Sequence, residues 1–167
     1  GHAPLVIAEM SGNHNGSLER ALEIVEAAAG AGAHALKLQT YTPDTMTLDL
    51  DEREFHIGGD NPWQGTSLYR LYGEAATPWE WHQPIFDRAR QLGILAFSTP
   101  FDDSAVGFLE GLGVPCYKIA SFENTDLALI RRVAATGKPM IISTGMATMA
   151  ELDEAVQAAR EGGCGDL

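Results

Sequence analysis

The feature that most constrains the fold is an alternation of short apolar runs with segments of helical periodicity along the chain. A short apolar run followed by apolar residues every three or four positions is typical of a β-strand followed by an α-helix. Repeated βα units build a parallel sheet covered by helices. The strands predicted from the pattern span residues 5–8, 35–39, 94–98, 114–119 and 140–143.

Capping residues predict where the helices between these strands begin. Ser17 and Thr148 are typical N-cap residues, and Glu151 completes a capping-box spacing with Thr148. Thr77 is predicted as the N-cap of a helix whose first residue is Pro78. The stretch 40–77 has too much aromatic, Gly and Pro content for regular structure throughout. The predicted helices span about 17–31, 78–92, 102–111 and 126–136, with a last one from 148.

Five βα units fit either an open doubly wound sheet or part of a (βα)8 barrel. A complete barrel needs about 250 residues, and this chain has 167. Its last residues, 162–167, look like a helix stop and the approach to another strand. We therefore predict an α/β fold of the (βα)8 TIM-barrel type that is incomplete, with residues 1–167 as the N-terminal part of the barrel domain.

Charge and composition narrow the function classes. The formal net charge of −12 argues against a nucleic-acid partner, because phosphate backbones require a basic surface. No apolar run approaches the ~20 residues of a membrane span, so we expect a soluble cytoplasmic protein. Only three lysines occur, Lys37, Lys118 and Lys138, so a phosphate would have to bind at particular ones. Cys116, in an apolar stretch, is expected to be buried.

The candidate functional residues lie at the predicted strand ends. In both architectures the C-terminal ends of parallel strands meet at one face, where active sites form. A structural role, as a helix cap or as a hydrogen-bonded polar group in the core, would explain one such residue. It explains less well why polar residues occur at all five strand ends. The residues are Glu9, Lys37, Gln39, Ser98, Thr99, Lys118, Ser121, Glu123, Ser143, Thr144 and Gly145.

Lys37 and Lys118 each interrupt an apolar strand, although lysine is seldom buried without a partner. Two inward lysines form either an anion clamp or a Schiff-base site. The hydroxyl residues and Gly145 favour the clamp, because they add hydroxyl and backbone N–H donors. Glu9 and Glu123 could transfer protons or orient a substrate hydroxyl. Pairing with Lys37 is the alternative for Glu9.

His14 is predicted in a loop at the same face, where it could contact substrate. The other histidines, His34, His56 and His82, show no metal-ligand spacing with it, so we expect no metal ligands in this chain.

These residues also carry a resemblance that extends over nearly the whole chain. Segments 7–16, 37–39, 98–102, 117–121 and 143–146 resemble the sialic acid synthase (N-acetylneuraminate synthase) family in order and spacing. Segments 41–47, 68–72 and 77–82, with Phe122, are most similar to its pseudaminic acid synthase branch.

The resemblance implies condensation of phosphoenolpyruvate with the open-chain aldehyde of an N-acetylated amino sugar, with C–O cleavage and release of phosphate. It also implies a divalent metal, Mn²⁺ or Mg²⁺, that polarises the aldehyde. Phosphoenolpyruvate would be held by Lys118, Ser121 and the turn of Ser143, Thr144 and Gly145, with Lys37 and Thr99. Sugar contacts or proton transfer would involve Glu9, Glu123 and Gln39, with Asn61, Trp63 and Tyr69 shaping the sugar end.

The sequence departs from the family in two ways that matter for activity. The two histidine metal ligands of the family lie on later strands, and they have no counterpart here. The C-terminal antifreeze-like domain, which completes the partner subunit's site in the family's homodimer, is also absent. Two other functions stay open: a Schiff-base aldolase that uses Lys118, and a non-catalytic half-barrel.

Overall fold

The computed structural model describes residues 3–167 and contains one sheet of five parallel strands. Each strand is hydrogen-bonded to the next in chain order, without the reversal that defines a doubly wound sheet. The predicted partial barrel is therefore confirmed over the open sheet. The strands are β1 (Ile7–Glu9), β2 (Ala35–Thr40), β3 (Leu95–Pro100), β4 (Tyr117–Ile119) and β5 (Met140–Ile142).

Helices follow the strands as predicted. The helices are α1 (Leu18–Gly30), α2 (Pro43–Met46), α3 (Leu68–Ala75), α4 (Trp79–Gln91), α5 (Asp103–Leu112), α6 (Leu127–Ala134) and α7 (Met149–Glu161). The side chains of Ser17, Asp102, Asp126 and Thr148 accept backbone N–H groups of the first turns that they cap. No helix of residues 3–167 is long and apolar enough to cross a membrane.

The predicted cap at Thr77 is wrong by one residue. Pro78 is the N-cap of α4, with extended backbone, and the helix begins at Trp79. The hydroxyl of Thr77 instead lies 3.2 Å from Nε2 of His14 and is buried with it. A buried histidine needs a hydrogen-bonding partner, and this contact uses the hydroxyl that would otherwise cap α4.

The stretch between β2 and α4 is more ordered than its composition suggests. It contains α2, a 3₁₀ turn at Arg53–Phe55, and α3, which Ser67 caps. A hydrogen bond of 3.0 Å from the hydroxyl of Tyr69 to Asp44 ties α3 to α2.

The core lies between the sheet and the helices. Leu36, Leu38 and Ile119 face the helices and are fully buried. The opposite face of the sheet, the concave face of the half-barrel, is open: Leu95 is 52% exposed and Ile141 is 38% exposed. Because side chains alternate along a strand, the residues that face away from the helices are available to a site.

Two predictions at strand starts need correction. The first strand begins at Ile7 rather than Leu5, because only residues 7–9 pair with β2, at one edge of the sheet. Cys116 was predicted to be buried in a strand, but it is only half-buried and precedes β4, which starts at Tyr117.

A buried polar chain joins α4 to the sheet. The Thr40 hydroxyl lies 2.8 Å from Nε2 of His82 and 2.6 Å from the Ser98 hydroxyl. Nδ1 of His82 faces the carbonyl oxygen of Pro78 at 3.2 Å and therefore carries the proton. Burial lowers the pKa of His82 to about 4, so this imidazole is neutral in the folded protein.

Candidate active site

The sheet register brings the predicted residues together at the C-terminal face. Glu9 pairs with Lys37 across β1 and β2, and Gln39 pairs with Thr99 across β2 and β3. Lys118 pairs with Ile141 across β4 and β5. The alternation along each strand places Lys37, Gln39 and Lys118, all half-buried, on the side away from the helices.

Lys37 is held between its two neighbouring strands. Its ammonium group forms an ion pair with Glu9 and lies 3.5 Å from the hydroxyl of Thr99 on β3. The second oxygen of Glu9 accepts the backbone N–H of Ser11 at 3.2 Å. The pairing of Glu9 with Lys37 that the sequence left open is therefore present in the structure.

Lys118 is the second cationic centre. Its Nζ donates to the hydroxyl of Ser143 at 2.5 Å and to the carbonyl oxygen of Ile119 at 2.7 Å. Burial lowers the pKa of Lys118, and the positive charge of Lys37 lowers it further, while Glu9 and Glu123 oppose this. A bound anion would relieve the repulsion between the two ammonium groups.

Glu123 follows β4 and has an unusual environment. Its Oε2 is buried and has no hydrogen-bonding partner among residues 3–167. Burial raises the pKa of Glu123, and Asp126 raises it further, against the opposing charge of Lys118. A raised pKa makes a carboxyl group a better proton acceptor, and the buried oxygen can contact a ligand.

The turn after β5 packs directly on the loop after β4. Gly145 has φ of 53°, and a Cβ there would lie 2.8 Å from the Cβ of Ser121. Only glycine allows this approach, so Ser121 and the turn of Ser143, Thr144 and Gly145 form one compact unit. The structure thus brings together the residues that the sequence selected from β4 and β5.

Asn124 was missed by the sequence analysis. It is buried, and its side-chain amide donates to the carbonyl oxygens of Ser143 and Thr144 at 3.1 Å and 2.7 Å. Asparagine is also common in ordinary loops, so its residue type carries no signal of this role. Only the fold brings it against the turn.

His14 does not face the open site. It is fully buried, it contacts Trp81 edge-on with ring centroids 5.5 Å apart, and its Nδ1 accepts the N–H of Gly16 at 3.2 Å. Burial lowers its pKa. The predicted substrate contact is therefore replaced by a structural role, in which His14 holds the loop after β1 in place.

Asn61 and Tyr69 are also occupied by local contacts. Asn61 donates to the carbonyl oxygen of Gly58 and accepts the N–H of Trp63, both at 2.9 Å. The hydroxyl of Tyr69 is bonded to Asp44. Trp63, 52% exposed, instead lines a cleft of about 720 Å³ between the loop after β1 and α3, together with Asn13 and Tyr72.

The described residues do not form a metal site. No group of three or more His, Cys, Asp or Glu side chains within residues 3–167 is arranged to hold a metal ion. Glu9, a carboxylate at the C-terminal end of β1, forms an ion pair with Lys37. The divalent metal implied by the resemblance stays a prediction.

Curated proteins of similar sequence match most of the chain. The chain is 51% identical over 147 residues to the pseudaminic acid synthase of Campylobacter jejuni, covering 88% of this chain and 43% of that protein. It is 48% identical over 157 residues to the pseudaminic acid synthase of Helicobacter pylori, covering 94% and 46%. The chain thus spans under half the length of these curated relatives.

A solved structure matches the fold. The N-acetylneuraminic acid synthetase of Leptospira borgpetersenii, crystallised with citrate, aligns with a TM-score of 0.83 at 28% identity. The alignment covers 98% of this chain and 52% of that one. The model of the NeuB family matches residues 24–167, which include Lys37, Lys118 and the turn after β5. The chain belongs to the NeuB family.

Proposed function

We propose that this chain supplies the phosphoenolpyruvate-binding half of a sugar acid synthase active site. The reaction joins phosphoenolpyruvate to an open-chain N-acetylated amino sugar and consumes one water, whose oxygen replaces the one that leaves with the phosphate. The products are a nonulosonic acid of the pseudaminic or sialic type and inorganic phosphate. One observation carries the proposal. Two half-buried lysines from β2 and β4 lie on the open face of the sheet, Lys37 beside Thr99 and Lys118 beside Ser143, with a glycine turn packed on Ser121.

We assign a role to each residue of the proposed site. Lys37 and Lys118 neutralise the phosphate and carboxylate of phosphoenolpyruvate, and the hydroxyls of Thr99, Ser121 and Ser143 donate to their oxygens. We assign proton transfer to Glu123, which has a raised pKa and a buried oxygen without a partner among residues 3–167. Glu9 and Gln39 bind sugar hydroxyls at the neighbouring strand ends.

The metal, the partner subunit and the compartment belong to the same proposal. Relatives more than twice as long as this chain support the idea that further strands and a further domain complete the site. The metal ligands would lie on those strands. We propose a cytoplasmic homodimer.

A Schiff-base aldolase remains a second candidate, because the lowered pKa of Lys118 is also what a nucleophilic lysine needs. The hydroxyl groups beside the two lysines favour the first proposal, since the hydroxyls of Thr99 and Ser143 contact Lys37 and Lys118 and can also donate to a bound anion. Borohydride trapping of a carbonyl substrate on Lys118 distinguishes the two. A covalent adduct would establish the aldolase.

The test uses the full-length product of the gene that carries this sequence. We expect phosphate release only with phosphoenolpyruvate, an N-acetylhexosamine aldehyde and Mn²⁺ or Mg²⁺ all present. Lys118→Met should lower the rate at least a hundredfold, because it removes one of the two charges that bind the anion. Lys138→Met is the matched control, since Lys138 pairs with Glu110 outside the site. Turnover without any metal would refute the proposal.

A further inference from the structure

Asn124 connects two loops of the site through one buried amide group. It lies between β4 and α6, is 4% exposed, and donates both of its hydrogen bonds across to the turn after β5. The acceptors are successive carbonyl oxygens, those of Ser143 and Thr144. A buried amide that lost these acceptors would be costly, so the arrangement is strongly held.

The planarity of the peptide bond decides what this contact does to the turn. In a trans peptide the C=O of one residue and the N–H of the next point in opposite directions. The chain contains no cis peptide among its described residues. With the carbonyls of Ser143 and Thr144 turned to Asn124, the N–H groups of Thr144 and Gly145 point away from it.

These two N–H groups are available to a ligand. Neither donates a hydrogen bond within residues 3–167, whereas the N–H of Ser143 and that of Ala147 both do. Asn124 is buried and both Thr144 and Gly145 are exposed, so the free N–H groups lie on the exposed side of the turn. The hydroxyl of Ser143, bonded to Lys118, belongs to the same turn.

We propose that Asn124 is a positioning residue that aims the backbone N–H groups of Thr144 and Gly145 at a bound phosphate group. Two successive N–H groups with a glycine at positive φ form the kind of concave donor pair that binds anions. The contact of Gly145 with Ser121 holds the same turn at a second point. The inference rests on the proposed phosphoenolpyruvate site and names a residue that supports it.

The first test needs no substitution. In the ¹⁵N-labelled chain, adding phosphoenolpyruvate or inorganic phosphate should shift the amide protons of Thr144 and Gly145 downfield, as expected for N–H groups that donate to an anion. The amide of Ala147, which bonds to the carbonyl oxygen of Thr144 at 3.0 Å, serves as the internal reference. Unchanged amides at 144 and 145 during saturable binding would overturn the proposal.

The second test removes the donors while keeping the shape. Asn124→Asp can donate to at most one of the two carbonyl oxygens in either protonation state, so we expect the Kd for phosphoenolpyruvate to rise about tenfold or more. Thr136→Val is the control, because it removes a hydroxyl that donates to a backbone carbonyl at the opposite end of α6, at 2.7 Å. That variant should keep the wild-type Kd even if it unfolds more easily.

The pH dependence of the Kd distinguishes a positioning role of Asn124 from a role in stability alone. Protonation of the carboxyl group that Asn124→Asp introduces restores one donor, so the Kd ratio of this variant to wild type should shrink between pH 7.5 and pH 5. A ratio near one at pH 7.5 would contradict the proposal and leave the proposed reaction intact. Normal phosphate binding without condensation would refute the reaction alone, and a wild-type chain that binds no phosphate would refute both.

Discussion

At the residue scale, the absence of a side chain at Gly145 allows the geometry of the turn after β5. Gly145 combines a left-handed backbone with a closest approach to Ser121 that no Cβ permits. Its role is therefore steric as well as conformational, and the two contributions can be separated by experiment.

Gly145→Ala should weaken phosphoenolpyruvate binding at least tenfold and destabilise the fold by about 2–4 kcal/mol, through backbone strain and the clash with Ser121. Gly113→Ala is the matched control: Gly113 has φ of 69°, and nothing lies within 4 Å of its hypothetical Cβ. It should cost only about 1–2 kcal/mol, from strain alone. Urea unfolding and ligand titration measure both quantities, and equal effects would show that the clash is unimportant.

Residues of the site differ in how well sequence alone can find them. Lys37 and Lys118 were predictable because a charge inside an apolar strand is unusual at any position in the chain. His14 was misjudged, since its burial depends on Thr77 and Trp81, which are distant in sequence. Asn124 gave no signal, because its two partners are defined only when the loops meet.

At the element scale, α4 is attached to the sheet by a polar contact rather than by apolar packing alone. His82 must stay neutral to accept the hydroxyl of Thr40 while its Nδ1 donates to Pro78. The strands and most helix caps were predictable, because periodicity and capping are local. This contact was not, because it joins residues 42 positions apart.

The free energy of unfolding should decrease as the pH falls, because of His82. Its pKa is lowered to about 4 in the folded chain, against about 6.5 when unfolded, so the unfolded state binds more protons between these values. The stabilisation is complete above pH 6.5 and is lost as the pH falls towards 4, by about 3 kcal/mol at most. Urea unfolding at pH 7 and pH 4.5 measures the loss. His82→Gln should show a smaller one, and an equal loss would point to other groups.

At the scale of the whole molecule, the half-barrel has two edge strands, β1 and β5, and a concave face with exposed Leu95 and Ile141. The edge at β5 is covered in part, because the N–H of Met140 donates to the carbonyl oxygen of Asp166. Unpaired strand edges and an uncovered apolar face favour association. The five-stranded partial barrel itself was predictable from the rhythm of apolar runs, but which residues its open face exposes was not.

The 167-residue chain studied alone should therefore form dimers or larger species at micromolar concentration. Analytical ultracentrifugation measures this directly. Leu95→Lys, on the concave face, should shift the population towards monomer, and Leu48→Lys, which replaces a 62% exposed leucine outside the sheet, should not. A stable wild-type monomer would mean that the open edges are protected and would count against a half-barrel that acts by pairing.

The order of the strands has a consequence for how the protein is made. Each strand pairs with the one that precedes it in the chain, so every new βα unit finds its partner already synthesised. The longest search is the pairing of β3 with β2, where Lys37 and Thr99 are 62 positions apart in sequence. A nascent chain with this topology can assemble from its N-terminus while it is still being translated. Lys37 would then be placed on its strand before Lys118 has left the ribosome.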